Sequence, residues 1–251
     1  FVKIAVLRAK RMTPFVAVNG CDPEALEKLE KENIIVKSKA NLYAPAHDVL
    51  EDWALVRHVD ACFEQNPDVN AFFAALGTEP AMRRAYRLWV QDILSVGDKQ
   101  KISFFSANLS NTTIERFWQD ESLIALLHSD YSETFFLENE SRLIDDNWSL
   151  FLRIVHILRT ACRENNRDSW AERQYVPVGP GWNMVIRFIN KHKEILPEKV
   201  YALLLQTLED YAKLIGTVKG PEAAREAGLI SFQLLEYFKS KAAYYYEDKT
   251  V

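Results

Sequence analysis

Residues 35–63, IVKSKANLYAPAHDVLEDWALVRHVDACF, change from the hydrophobic period of a strand to that of a helix. The alternation at the start of this stretch is typical of a strand, and Asn41 is a frequent turn residue, so a short hairpin is expected over residues 35–46. Apolar residues then recur at intervals of three and four, which indicates an amphipathic helix over residues 49–63. Asp48 stands where an N-cap is expected.

The segments before the hairpin also favour helices. Residues 2–12 combine an apolar face with a basic face, and Asp22–Pro23 supplies an N-cap followed by proline at the first helical position of a second helix. Two helices, a hairpin and a third helix are the order of a small winged-helix domain, which we predict for residues 1–64. An all-helical arrangement of the same residues is the alternative.

Residues 65–251 are predicted to form an α-helical bundle or solenoid, so the fold class is mainly α. Only 8 glycines and 9 prolines occur in 251 residues, and folds rich in turns need more. The clearest break is at residues 166–181, which are either a domain boundary or a joint between helix pairs. Core packing is the expected role for most of the six tryptophans, which are Trp53, Trp89, Trp118, Trp148, Trp170 and Trp182.

The charge balance argues against nucleic acid as a partner of the whole chain, because 31 basic and 35 acidic residues give a net charge of −4. Four cations near the N-terminus could contact phosphate, although a solvated helix face is the preferred interpretation; they are Lys3, Arg8, Lys10 and Arg11. Three dispersed cysteines favour a reducing compartment, hence a cytoplasmic location. No apolar run is long enough to span a membrane. A start at Phe1 suggests a piece of a longer protein.

No complete catalytic motif is present in the sequence, so the chain is not expected to be an enzyme. The sequence contains no GxxxxGK[ST], GxGxxG, HExxH or GxSxG. His156 is interpreted as a core histidine. Asp145–Asp146 and the glutamates before them could hold magnesium, but a solvated loop is preferred. Three arginines on one predicted helix are expected to pair with Asp92 and its neighbours or to form an interface; they are Arg83, Arg84 and Arg87.

The segment YAPAHDVLEDWAL, residues 43–55, resembles the histidine–aspartate signature that closes the winged-helix part of STAND-type P-loop ATPases. The wider similarity covers residues 24–94. It implies that His47 contacts the β-phosphate of bound ADP and that Asp48 caps its helix and orients the loop. If the resemblance to this family does not hold, the alternative interpretation is that His47 is an ordinary turn residue and Asp48 is an ordinary N-cap.

The resemblance further implies a regulatory and sensor fragment of a bacterial STAND-like ATPase that gates nucleotide state. Its expected partners are a protein trigger, bound by the helical repeats, and an NTPase domain that this chain lacks; oligomerisation is also compatible with the family. No cofactor is expected on the chain itself, whereas ADP or ATP would bind the parent protein.

Two other classes of function are compatible with the sequence. One is a winged-helix DNA-binding regulator with a helical ligand or dimerisation domain. Its recognition helix would lie at residues 23–34, which together with Asp22 carry five acids against two lysines, and phosphate would repel that charge. The other is a helical scaffold without a switch.

Overall fold

The computed structural model describes residues 1–165, 175–215 and 221–247, with side chains described up to residue 241. The chain divides into two compact units, Phe1–Ala125 and Leu126–Val251. Among the described residues, helices predominate and the strands form two short antiparallel hairpins. The predicted fold class, mainly α with an N-terminal hairpin followed by a helical bundle, is therefore confirmed. No helix in the described ranges has the length and apolarity needed to cross a lipid bilayer.

The first unit begins with the winged-helix-like arrangement predicted from the sequence. Helices α1 (Val2–Arg11) and α2 (Pro23–Lys31) precede strands β1 (Ile35–Lys37) and β2 (Tyr43–Pro45). Asp22 caps α2 by accepting a hydrogen bond from the backbone N–H of Glu24 at 3.0 Å. The hairpin is antiparallel, with Val36 opposite Ala44, and a further bridge joins Val16 to Tyr43. Buried Ile4, Val16 and Ile35 form the small core beneath it.

Five helices follow the hairpin, and their aromatic side chains form the main core of the first unit. They are α3 (Asp48–Gln65), α4 (Val69–Leu76), α5 (Pro80–Val96), α6 (Lys99–Ser110) and α7 (Arg116–Leu127). Rings lie within 6.2 Å of one another through a continuous cluster, which consists of Phe63, Phe72, Phe73, Tyr86, Trp89, Phe104 and Trp118. Because α3 contacts both α1 and α5, it connects the hairpin core with this aromatic core.

A small polar network lies inside the aromatic core. The hydroxyls of Tyr86 and Ser122 are 2.7 Å apart, and the side-chain amide of Asn108 donates to both, at 2.9 Å and 2.7 Å. All three side chains are fully buried. Burial raises the pKa of Tyr86, so the phenol stays protonated and its hydroxyl remains available as a hydrogen-bond donor. The network pairs the two hydroxyls and the amide nitrogen of Asn108 in an apolar surrounding, whereas the amide oxygen of Asn108 has no hydrogen-bond partner among the described residues. A catalytic arrangement would need access to solvent or substrate.

The second unit is a bundle of five helices and one hairpin among the described residues. Its elements are α8 (Ser132–Glu138), α9 (Glu140–Ala161), β3 (Arg163–Asn165), β4 (Tyr175–Pro177), α10 (Gly181–His192), a 3-10 turn (Glu198–Val200), α11 (Tyr201–Ala212) and α12 (Ala224–Glu247). Within the predicted break, residues 166–174 lie outside the described residues, and residues 175–177 form β4. The division into domains at residues 1–64 and 65–251 stays a prediction.

Helix α9 is interrupted at the acidic cluster noted in the sequence. Residues 145–148 leave the helical conformation, and Asp146, Asn147 and Trp148 have φ between 47° and 69°. A left-handed backbone conformation is costly for a residue with a side chain as large as that of tryptophan. The side chain of Trp148, which adopts this conformation, is buried, at 5% exposure. Within the described residues, no group of three or more acidic, histidine or cysteine side chains is placed to hold a metal ion.

Candidate functional site

The N-terminus of α3 follows directly from the hairpin and carries His47. The backbone N–H of Ala46 donates to the carbonyl of Ile34 at 3.0 Å, which holds the chain at the end of β2. His47 is exposed and occupies the N-cap position with extended backbone angles, φ −140° and ψ 145°. Its carbonyl accepts hydrogen bonds from Leu50 and Glu51 at 3.1 Å and 3.2 Å. The hairpin therefore presents the imidazole at the end of an 18-residue helix.

The N-cap lies one residue earlier than the sequence indicates. Asp48 is the residue expected to cap the helix, whereas in the structure it is the first helical residue and His47 holds the cap position. The side chain of His47 makes no capping hydrogen bond, so it accepts none from the backbone N–H groups of the first helical turn. The exposed carboxylate of Asp48 lies where the helix dipole favours a negative charge, and this accounts for an aspartate at the position without a cap.

Acidic side chains near this helix end are balanced by cations from two other helices. Glu51 accepts a hydrogen bond from Arg8 of α1 at 2.8 Å, and Asp52 forms an ion pair with Arg84 of α5. Burial raises the pKa of Glu51, and Arg8 opposes that shift. These pairs neutralise much of the local negative charge, which would otherwise repel an anion near the helix terminus.

An apolar surface lies beside His47 on the outward face of α3. Trp53 is 66% exposed and Val49 is 53% exposed. Among the described tryptophans, Trp53 is the exception to the expected core packing, because α3 turns Ala54, Leu55 and Val59 towards its neighbours and leaves Trp53 outside. Four other tryptophans, Trp89, Trp118, Trp148 and Trp182, are at most 5% exposed, and Trp170 lies outside the described residues. An exposed tryptophan is typical of a binding surface.

Most of the arginines and lysines highlighted in the sequence make internal contacts. Lys3 donates to the carbonyl of Asn19 at 3.0 Å. Arg87 donates to Glu121 at 2.7 Å, and the guanidinium of Arg83 lies over the ring of Phe117 at 5.2 Å. Ion pairing of the arginines is confirmed for Arg84 and Arg87, but with acids on other helices instead of Asp92.

A cavity of about 320 Å³ opens beside the Arg8–Glu51 pair. Its walls come from the end of α1, the first turns of α3 and the start of α5, and are formed by Arg8, Ala9, Met12, Thr13, Pro14, Glu51, Pro80 and Ala81. His47 is not among these residues, so the structure does not bring the candidate phosphate contact into this cavity.

Two polar candidates elsewhere do not form catalytic groups. His156 is exposed, so its interpretation as a core histidine is wrong; the apolar face of α9 is formed by residues such as Phe151, Val155 and Leu158 instead. The Sγ atom of Cys62 lies 3.6 Å from the Nε2 atom of His58, one helical turn away. Burial raises the pKa of the Cys62 thiol and lowers that of His58, so both are neutral near pH 7 and the thiolate needed for nucleophilic attack is disfavoured.

The lowered pKa of His58 predicts a pH dependence of stability. Its stabilising contribution is fully present above the ordinary histidine value of about 6.5 and is lost as the pH falls through the lower folded-state value. We therefore expect wild type to lose more unfolding free energy than His58→Gln between pH 7.5 and pH 5. Urea titrations at each pH measure this difference, and parallel losses in the two proteins would contradict it.

Comparison with models of known protein families finds no match, and a search among curated proteins finds none either. The residues of the α3 terminus and its surroundings are therefore the basis for assigning a function.

Proposed function

We propose that this chain is the regulatory and sensor part of a STAND-like ATPase. The observation that carries the proposal is the position of His47, exposed at the N-cap of α3 directly after a winged-helix-like hairpin. The chain contributes no P-loop, so in this proposal ATP hydrolysis belongs to an NTPase domain, and the chain controls the nucleotide state of that domain.

The physical basis is the affinity of a helix N-terminus for phosphate. Backbone N–H groups without acceptors and the positive end of the dipole both favour an anion there. His47 would add one hydrogen bond to the β-phosphate of ADP, and Asp48 in the first helical turn would hold the loop in place. Loss of this contact would favour an open state over a closed ADP state, a shift between two populations.

The exposed apolar residues of α3 support a partner on the same side of the helix. Val49 and Trp53 are one turn apart, and Val49 follows His47 by two residues. We assign this surface to the NTPase domain, which would cover both side chains while its nucleotide reaches His47. The helical repeats would bind the trigger, for which we propose a protein.

The test compares His47→Ala with wild type in the full-length natural protein. A hydrogen bond to a charged phosphate contributes about 1.5–3 kcal/mol, so ADP affinity measured by calorimetry should fall roughly 10-fold to 100-fold, and resting activity should rise. His156→Ala removes an exposed histidine of α9 and serves as the matched control. Unchanged ADP affinity in His47→Ala would refute the assignment of His47.

A further inference from the structure

Helix α12 carries apolar side chains on both of its sides. Ile230 and Leu234, each 2% exposed, face α10 and α11. On the opposite side, Phe232 is 65% exposed and Leu229 is 44% exposed, and Leu235 beside them is 63% exposed. A helix that packs on one side only normally has a polar outer face, so this outer face is suited to bind another apolar surface.

The outer face follows the spacing of a helix–helix seam. Arg225, Leu229, Phe232, Glu236 and Lys239 succeed one another at intervals of four and three residues, which places them in one stripe along the helix. All five are exposed. Within the described part of the chain, the three charged residues of this seam form no ion pair.

The order of charges along the seam identifies what binds there. We propose that α12 pairs antiparallel with α12 of a second copy of this chain, about a two-fold axis between residues 230 and 231. In that register, Leu229 faces Phe232 of the second copy, and Arg225 faces Glu236. Two-fold symmetry repeats both contacts, so the apolar pairs lie at the centre and an Arg–Glu pair lies on each side.

The same register also places opposite charges against each other at the ends of the seam. Glu222, exposed and two residues before α12 begins, lies opposite Lys239 of the second copy. A parallel pairing would instead place each seam residue against itself, Arg225 against Arg225 and Glu236 against Glu236, with repulsion at every charged position. The charge pattern therefore selects an antiparallel second copy.

The interface is small, which sets the expected affinity. One helix pair of this length buries on the order of 1,000 Å², near the lower limit for a specific complex. We expect a reversible dimer with a dissociation constant on the order of 10–100 µM. This inference is independent of the role proposed for His47.

Sedimentation equilibrium of the chain between roughly 1 and 500 µM, a range that brackets this affinity, tests dimer formation directly. Wild type should change from monomer to dimer, and Phe232→Ser should remain monomeric because the central apolar contact is lost twice. Trp53→Ala removes an exposed tryptophan of α3, outside the seam, and should dimerise like wild type. A wild-type chain that stays monomeric throughout, or Phe232→Ser dimerising as tightly as wild type, would overturn the proposal.

Charge reversals test the antiparallel register. Arg225→Glu sets two carboxylates against each other on both sides of the axis, and Glu236→Arg sets two guanidinium groups against each other in the same places. Each variant alone should therefore dimerise at least roughly tenfold more weakly. In an equimolar mixture of the two variants, the mixed dimer has one carboxylate and one guanidinium group at each of these contacts, so the mixture should dimerise like wild type. The double variant Arg225→Glu with Glu236→Arg restores opposite charges at both contacts and should dimerise like wild type. Single variants that match wild type, or a double variant that remains monomeric, would exclude this register.

Discussion

Replacing Trp89 by alanine will lower the free energy of unfolding by about 3–5 kcal/mol, the usual cost of removing a large aromatic side chain from a core. Trp89 is 1% exposed and lies 5.4 Å from Phe63 and 5.8 Å from Phe72, measured between ring centroids. Its indole N–H also donates to Asp60 at 2.8 Å. Alanine leaves a cavity among these rings and removes a hydrogen bond from a carboxylate.

Two further variants separate the causes of this loss. Trp89→Phe keeps most of the packing and removes the N–H donor, so it should cost less than Trp89→Ala. Trp53→Ala deletes a tryptophan that is 66% exposed and should change stability by less than about 0.5 kcal/mol. Denaturant titrations followed by circular dichroism measure all three. Equal losses for Trp53→Ala and Trp89→Ala would contradict the placement of these two residues.

Gly179→Ala should destabilise the second unit by about 2–4 kcal/mol, because it combines two separate costs. The φ of Gly179 is +92°, a conformation that residues with a side chain rarely adopt. A Cβ at this position would lie 2.7 Å from the carbonyl oxygen of Leu127 and 3.1 Å from a ring nitrogen of His128. The first of these neighbours is backbone at the end of α7, so relief requires the connection before α10 to move.

Two other glycines serve as controls for the separate costs. Gly97 has a φ of +80°, but a Cβ there would meet no atom within 4 Å, so Gly97→Ala reports the backbone cost alone, about 1–2 kcal/mol. Gly228 lies inside α12 with nothing within 4 Å, and Gly228→Ala should stabilise the helix by about 0.5–1 kcal/mol. If Gly179→Ala proved no worse than Gly97→Ala in the same titrations, close packing at Leu127 would be excluded as a cause.

Local sequence signals predicted the elements around the candidate site well. The hairpin with Asn41 in its turn, the capping of α2 by Asp22 and the long helix after His47 are each encoded within a few residues. Such features depend on backbone preferences and on hydrogen bonds between near neighbours in the chain. The start of α3 differs from the prediction by one residue because the backbone of Asp48 is already helical, whereas that of His47 is extended.

The sequence predicted the ion-pair partners of individual side chains less well. Arg84 pairs with Asp52 and Arg87 pairs with Glu121, which are 32 and 34 residues away along the chain. A helical pattern shows which acids are neighbours on the same helix, such as Asp92, but it contains no information on the acids that a packed helix brings near. The interruption of α9 at residues 145–148 also lies within a continuous amphipathic pattern.

The sequence alone determines the spacing of the hydrophobic residues. This spacing indicates where helices and the N-terminal hairpin form, and that His47 stands at the end of one of these helices. Which side of each helix is covered depends on the tertiary structure. Trp53 and Trp89 have similar helical surroundings in sequence, yet Trp89 is buried and Trp53 is exposed. The reason is that burial depends on the neighbouring helices, and for α3 those neighbours, α1 and α5, leave the face that carries Val49 and Trp53 open beside His47.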